Sequence, residues 1–128
     1  MSDTLKQSTD SALIAADKVQ GTAVFDQQGE RLGTIKDIYI DKVSGKAEYA
    51  AMAVGGALGI GAKYHPVPWS MLDYDTDKNG FVVPLDKDSL EATPAYGEDA
   101  LYAADYPWRG EVTDYFQGTE GSRPTPTA

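Results

Sequence analysis

The stretch from Val19 to Asp41, VQGTAVFDQQGERLGTIKDIYID, decides the fold class of this chain. Its two ends are rich in β-branched and aromatic residues, and the middle, DQQGE, is a glycine-containing turn, so the pattern predicts two strands joined by a hairpin. In the second strand Leu32 and Ile35 are three apart, whereas Ile38 and Ile40 follow the period of two. A slip of this kind beside Gly33 predicts a bulge or bend, which strongly curved sheets require.

The segments that follow continue the strand pattern. DKVSGK is a turn, and AEYAAMAVGG is an alanine-rich strand suited to close packing. We expect a mainly β fold with one core. The predicted core residues are Val24, Ile35, Ile38, Ile40, Met52, Val54, Val67, Trp69, Leu72, Val82 and Leu85.

Composition narrows the function classes. The chain has 128 residues, of which 41% are hydrophobic and 24% charged, as in a single globular domain. It contains no cysteine, which excludes disulfides and thiolate metal sites. The net charge of −9, most of it after Asp86, would repel phosphates and argues against nucleic-acid binding. The polar amino terminus and the shortness of the uncharged run 49–62 predict a cytoplasmic protein without membrane insertion.

One segment resembles a calcium-binding loop. DTDKNGFVVPLD, from Asp75 to Asp86, has oxygen-bearing side chains at positions 1, 3, 5 and 12 and glycine at position 6. Strand-like residues flank it, however, and Asn79-Gly80 is a strong hairpin signal. Asp86 also suits the N-cap of a short helix that Thr93-Pro94 would end. We favour a hairpin and keep a calcium site as the alternative.

The chain offers no recognisable catalytic group. The glycine-rich run from Gly55 to Gly61 precedes two prolines instead of a helix, so it fits a mobile connection better than a phosphate loop. His65 is the only histidine and has no identifiable nucleophile beside it, which favours a structural imidazole. We therefore predict no enzymatic activity, no catalytic residues, no metal ligands and no cofactor.

Five short motifs, taken in order, resemble one family. They are G-x-x-V at Gly21 to Val24, D-x-x-G-x-x-x-G at Asp26 to Gly33, the run ending Ile40-Asp41, VPW at Val67 to Trp69, and L-x-x-x-P at Leu90 to Pro94. The sequence from Ala16 to Tyr96 resembles the PRC-barrel domain family. More narrowly, YHPVPW at residues 64–69 and WRGEVTDYF at residues 108–116 resemble its short stand-alone alphaproteobacterial members. The resemblance implies a small, strongly bent antiparallel β-barrel, without catalytic residues, that docks onto other proteins.

The sequence and the resemblance together divide the chain into four predicted segments. Residues 1–15 are predicted to be flexible apart from a helical turn within Ser11 to Lys18, residues 16–96 form the PRC-barrel domain, residues 97–116 form an aromatic and acidic helical arm, and residues 117–128 form a disordered tail. The arm either folds back over its own barrel or contacts a second copy or another protein. Its candidate partner-interface residues are Tyr102, Tyr106, Trp108, Tyr115 and Phe116.

These expectations favour one function over another. The first hypothesis is a non-enzymatic adaptor that binds a protein partner, with a homodimer as one form of it. The alternative, from a different class, is a barrel that senses a small ligand or a cation such as calcium.

Overall fold

The computed structural model describes residues 13–54 and 63–121, with side chains described as far as Gln117. The strands of this part of the chain are β1 (Ala23–Phe25), β2 (Arg31–Ile40), β3 (Ala47–Val54), β4 (Lys63–Pro68), β5 (Asp73–Asp75) and β6 (Gly80–Val82). The α-helices are α1 (Ala16–Val19), α2 (Lys87–Glu91), α3 (Glu98–Leu101) and α4 (Trp108–Gly121), and a 3-10 helix spans Trp69–Met71.

All six strands belong to one sheet, in the order β4-β3-β2-β1-β6-β5. Four of the five neighbouring pairs are antiparallel, as predicted, whereas β1 and β6 run parallel. The parallel pair arises because the chain passes through β2 to β5 before it returns to the free side of β1. The predicted mainly β fold is confirmed, with a mixed sheet in place of a purely antiparallel one.

The connection between the two edge strands shows that the sheet is rolled. Strands β4 and β5 stand at opposite ends of the strand order, yet only residues 69–72 separate Pro68 from Asp73. In a flat sheet, spacings of about 4.8 Å would place the edge strands about 24 Å apart. So short a connection reaches about 17 Å at most. The sheet therefore curls until its edges approach each other, as a small barrel requires.

Irregular pairing along β2 provides the bend. The β1–β2 register skips Leu32, the β2–β3 register skips Lys36, and a third shift leaves Glu48 of β3 unpaired. The predicted bulge therefore lies at Leu32, one residue before Gly33, which itself pairs with Val24. Each extra residue increases the local twist and bends the strand.

Gly33 has a different role, which is close approach. A Cβ atom at this position would overlap the carbonyl oxygen of Ala53 on β3. Glycine is thus required here because two backbones are closer than any side chain allows.

The core lies inside the curled sheet and under the helices. Five predicted core residues are buried there: Val24, Ile35, Met52, Val67 and Leu72. Four more pack against the core while partly exposed: Ile38, Val54, Trp69 and Leu85.

Two predicted core residues are wrong. Ile40 is 53% exposed because it ends β2, where the β2–β3 hairpin projects beyond the core. Val82 is half-buried and outside the core cluster, whereas its neighbours Phe81 and Val83 are buried. Alternation in so short a strand puts the neighbours, not Val82, on the inner face.

The carboxy-terminal helices complete the core. Leu101 of α3 and the α4 residues Trp108, Val112 and Phe116 are all buried. The α4 residues are four apart, so they form one stripe along the helix that faces the sheet. Helix α4 also continues to Gly121, into the segment 117–128 that was predicted to be disordered.

The stretch from Asp75 to Asp86 forms the predicted hairpin. Strands β5 and β6 pair through Asp73–Val82, Tyr74–Phe81 and Asp75–Gly80, and Asn79 takes a left-handed φ of 52° in the turn. The carboxylate of Asp86 accepts a 2.8 Å hydrogen bond from the Ser89 N–H, so it caps α2 as predicted.

Candidate docking site: a tyrosine cleft

A cleft of about 820 Å³ opens between the end of the β2–β3 hairpin and the loop that joins α3 to α4. Residues 37–43 form one wall and residues 102–109 form the other, with Glu48 and Tyr49 of β3 beside the first. We call it the tyrosine cleft, after Tyr39, Tyr49, Tyr102 and Tyr106. Its volume falls within the range of about 300 to 1,000 Å³ that is typical of small-molecule pockets.

Trp108 is the anchor at the base of the cleft. Its side chain is 3% exposed, and its indole N–H donates a 2.9 Å hydrogen bond to the Leu101 carbonyl oxygen. The rings of Tyr39 and Tyr49 approach it edge-on, at 5.1 Å and 5.4 Å between centroids. Edge-to-face contacts of this kind stabilise aromatic clusters, so the base of the cleft is rigid and apolar.

Two neighbouring tyrosine hydroxyls differ in their partners. The Tyr102 hydroxyl donates a 2.9 Å hydrogen bond to Asp37 Oδ2, and burial together with that carboxylate raises the pKa of Tyr102 to about 12. The Tyr39 hydroxyl is buried and has no hydrogen-bond partner in the described part of the chain. Burial first, and then its neighbour Tyr102, raises the pKa of Tyr39 well above the usual range. Both phenols are neutral, and one is unsatisfied.

The loop above these hydroxyls has an unusual backbone. Asp105 and Tyr106 are consecutive residues with φ of 65° and 44°. Aspartate tolerates this left-handed region, but it is costly for an aromatic side chain. Two contacts hold Tyr106 there: its N–H donates to the Ala103 carbonyl oxygen at 2.9 Å, and its ring meets that of Tyr39 edge-on at 5.1 Å.

Charge around the cleft is mainly negative. Four carboxylates line it, Asp37, Asp41, Glu48 and Asp105, against two bases, Lys42 and Arg109.

Two of these carboxylates already have partners. Asp37 accepts from Tyr102, and Asp41 accepts from the backbone N–H groups of Ser44 and Val43, which lower its pKa. Glu48 and Asp105 form no hydrogen bond or ion pair with any residue that the structure describes.

The candidate interface residues from the sequence separate into two groups. Tyr102 and Tyr106 stand on the rim of the tyrosine cleft and Tyr115 lies on α4, and all three are exposed. Trp108 and Phe116 are buried in the core of their own chain, so they do not present a surface to a partner. For these two, the structure shows the arm folded back on its own barrel. They were chosen as large aromatics among charges, and only their helical spacing hinted at burial.

The sequence did not single out two apolar residues that belong to the rim. Val43 is 97% exposed at the tip of the β2–β3 hairpin, and Ile40 lies three residues before it. Val43 stands between lysine and serine in a turn segment, and Ile40 was assigned to the core. Both are exposed, so this edge of the cleft is apolar.

His65 is a structural residue, as predicted. It is buried in β4, and its Nδ1 lies 2.9 Å from Thr93 Oγ1. The Thr93 hydroxyl donates its single hydrogen to the Leu90 carbonyl oxygen at 2.7 Å. The imidazole must therefore donate through Nδ1, and it links β4 to the end of α2.

Neither a metal-binding cluster nor a membrane-spanning helix is present in the part of the chain that the structure describes. No group of three or more histidine or carboxylate side chains in residues 13–54 and 63–121 could hold a metal ion. No described helix combines the length and apolar character needed to cross a bilayer. The glycine-rich run from Gly55 to Gly61 lies outside the described residues.

Fold and cleft together define a class: a small curled-sheet protein with an aromatic cleft between its β2–β3 hairpin and its carboxy-terminal helices. A family model, the PRC-barrel domain, matches residues 12–90, and the chain belongs to that family. A comparison with curated proteins gave no match. The matched region ends before α3, so the second wall of the tyrosine cleft, residues 102–109, lies beyond it.

Proposed function

We propose that this protein is a non-enzymatic interaction module that docks a segment of another protein in the tyrosine cleft. The observation that carries the proposal is the exposed apolar rim, formed by Ile40, Val43, Tyr102 and Tyr106 around a cavity of about 820 Å³. Apolar side chains of this size on a surface gain free energy when a partner covers them, and aromatic residues dominate such contacts.

The base of the cleft supports this role. Trp108, Tyr39 and Tyr49 hold each other in edge-on contacts, so the cavity exists before a partner arrives. Because the cavity is preformed, the protein loses little conformational entropy when a partner binds. The strained loop at Asp105 and Tyr106 adds a second feature, because strain of this kind concentrates at binding sites.

The alternative functions have less support. The acidic carboxylate of Asp86 caps α2, and Asp75 Oδ1 accepts from the N–H groups of Asp77 and Lys78, so the first and last groups of the proposed calcium loop are engaged. The sole histidine is buried and hydrogen-bonded, which leaves it poorly placed for proton transfer to a substrate. A homodimer would bring together two chains of net charge −9.

The test uses the full chain and matched variants. The rim variant, Val43→Ser with Tyr106→Asn, removes two of the four apolar rim side chains, one from each wall, and asparagine suits the positive φ of residue 106. Tyr74→Asn is the control, since Tyr74 is 43% exposed on β5 and lies away from the cleft.

Proteins cross-linked to the wild-type chain are identified, purified and titrated against all three forms. We expect the rim variant to lose at least tenfold in affinity while the control keeps it, because rim and centre contacts of this kind contribute about 1 kcal/mol or more each. Equal affinities for all three forms would show that the cleft is not the docking site.

A further inference from the structure

We infer that the segment docked in the tyrosine cleft is basic, with an arginine or lysine placed next to an apolar residue. This inference rests on the proposed function and names the chemistry of its partner. The apolar residue would cover Ile40 and Val43. The cation would lie between the rim tyrosines and the carboxylates of Glu48 and Asp105.

Two carboxylates of the cleft are free to attract a cation. Glu48 and Asp105 stand on opposite walls, Glu48 on β3 and Asp105 in the α3–α4 loop, and neither has a partner among the described residues. Both are exposed in the free protein, so they need no counter-charge there. A cation between two such walls would gain both attractions at once.

The tyrosine rings on the rim provide a second attraction for a cation. Aromatic faces attract cations, and the attraction is stronger where a carboxylate stands nearby and water is partly excluded. Tyr102 and Tyr106 are each about 40% exposed at the rim, which leaves ring surface available to a ligand.

The described part of the chain shows this chemistry on the surface next to the cleft. Lys36 Nζ lies 5.3 Å from the centre of the Tyr64 ring and 6.0 Å from that of Tyr102, and it is 3.7 Å from Glu98 Oε2. A lysine is therefore held by tyrosine rings and a carboxylate beside the cleft. The cleft offers the same set of groups without an internal cation bound to Glu48 or Asp105.

Charge also selects the class of partner. A chain with net charge −9 attracts basic segments over distances of about 10 Å at moderate salt and repels acidic ones. The bases of the cleft, Lys42 and Arg109, leave it two charges negative against its four carboxylates. A second copy of this chain is disfavoured for the same reason.

The experiment titrates the full-length protein with labelled probe peptides of one length and one apolar framework. The framework alternates leucine with lysine or arginine in the basic probe, with glutamate in the acidic probe and with serine in the neutral probe. Spermine serves as a cationic probe without apolar groups. The variant is Glu48→Gln with Asp105→Asn, in which asparagine retains tolerance for the φ of 65° at residue 105. Its matched control is Asp77→Asn with Asp114→Asn, an equal change of charge at exposed positions that do not line the cleft.

We expect the basic probe to bind most tightly and to lose about fivefold in affinity in the cleft variant but not in the control, since partly exposed ion pairs contribute up to about 1 kcal/mol each. Raising the salt concentration should also weaken the binding of the basic probe to the wild-type protein. If the neutral probe binds the cleft as tightly as the basic one, the inference is wrong while the proposed function stands. If spermine equals the basic peptide, the ligand is not an apolar-basic segment and the inference is again wrong. If no peptide binds the cleft, both are wrong.

Discussion

His65 Nδ1 lies 2.9 Å from the hydroxyl oxygen of Thr93, and that hydroxyl in turn donates to the Leu90 carbonyl oxygen. This chain of two hydrogen bonds joins β4 to the carboxy-terminal end of α2, and both side chains are buried. The fixed direction of the threonine donor requires a proton on Nδ1, and burial, which lowers the pKa of His65, favours the neutral imidazole.

Acidification should destabilise the fold through His65. Burial lowers its pKa below the ordinary value of 6.5, so the unfolded chain binds the proton more readily than the folded one. The contribution of neutral His65 to the free energy of unfolding is complete above about pH 6.5. It is lost as the pH falls through the pKa of His65 in the folded protein. Urea unfolding between about pH 5 and 8 measures the slope of the free energy of unfolding against pH. His65→Asn keeps a donor near Nδ1 but cannot titrate, and it should flatten the slope in that window. An unchanged slope would show that another group causes it.

Thr93→Val should be costly despite its nearly unchanged shape. It leaves the Nδ1–H of His65 without its acceptor in a buried site, and the Leu90 carbonyl oxygen loses the hydroxyl donor and keeps the hydrogen bond from the Thr93 N–H. The expected loss is about 1 to 3 kcal/mol in the free energy of unfolding. Thr93→Ser keeps the hydroxyl and serves as the control, and a smaller loss than for valine is expected from denaturant curves.

Gly33→Ala should destabilise the sheet by about 3 kcal/mol or more, because the new methyl group would overlap the backbone of Ala53. Gly110→Ala is the matched control. Nothing lies within 4 Å of a Cβ at that position, and it is inside α4. There alanine should stabilise by about 0.5 to 1 kcal/mol through helix propensity. Similar effects of the two changes on thermal unfolding would contradict the close approach of β2 and β3.

Trp108→Ala should unfold or strongly destabilise the whole protein, by about 3 to 5 kcal/mol, because the indole fills the core below the cleft. Gln117→Ala, an exposed change on the same helix, should stay within about 0.5 kcal/mol. Near-ultraviolet circular dichroism and denaturant unfolding would distinguish the two variants. A fully folded W108A protein would show that residues 97–116 are a detachable arm.

Calcium should leave the melting temperature unchanged at millimolar concentration. The oxygens of Asp75 and Asp86 already accept hydrogen bonds from the backbone, within a hairpin and a helix cap. A ligand that binds only the folded state raises the melting temperature as its occupancy rises. A rise with calcium but not with magnesium would revive the cation-sensing hypothesis.

Much of the fold follows from local signals in the sequence. Alternation predicted the β2 strand, Asn79-Gly80 predicted the β5–β6 turn, and Asp86 was assigned correctly as a helix cap. These features depend on a residue and its near neighbours, where backbone preference and hydrogen bonding are short-range. The family follows from the sequence for the same reason, since four of its five motifs lie in turns or at strand ends and the fifth lies at the end of α2.

The candidate site was only partly predictable. The aromatic residues of 97–116 were visible, but the sequence left open which of them face a partner and which face the core. Trp108 and Phe116 proved to be buried, while Tyr102 and Tyr106 stand on the rim. Ile40 and Val43, the apolar rim residues of the opposite wall, were missed.

By itself, the sequence determined the strands, the turns, the helix cap, the net charge and the family. The tertiary structure alone decided that the β2–β3 hairpin tip and the α3–α4 loop meet, which places Glu48 opposite Asp105 across one cleft. The physical reason is distance along the chain: residues about sixty apart meet only because the sheet curls and α4 packs against it. Burial energy summed over the whole core sets that arrangement, and no local pattern records it.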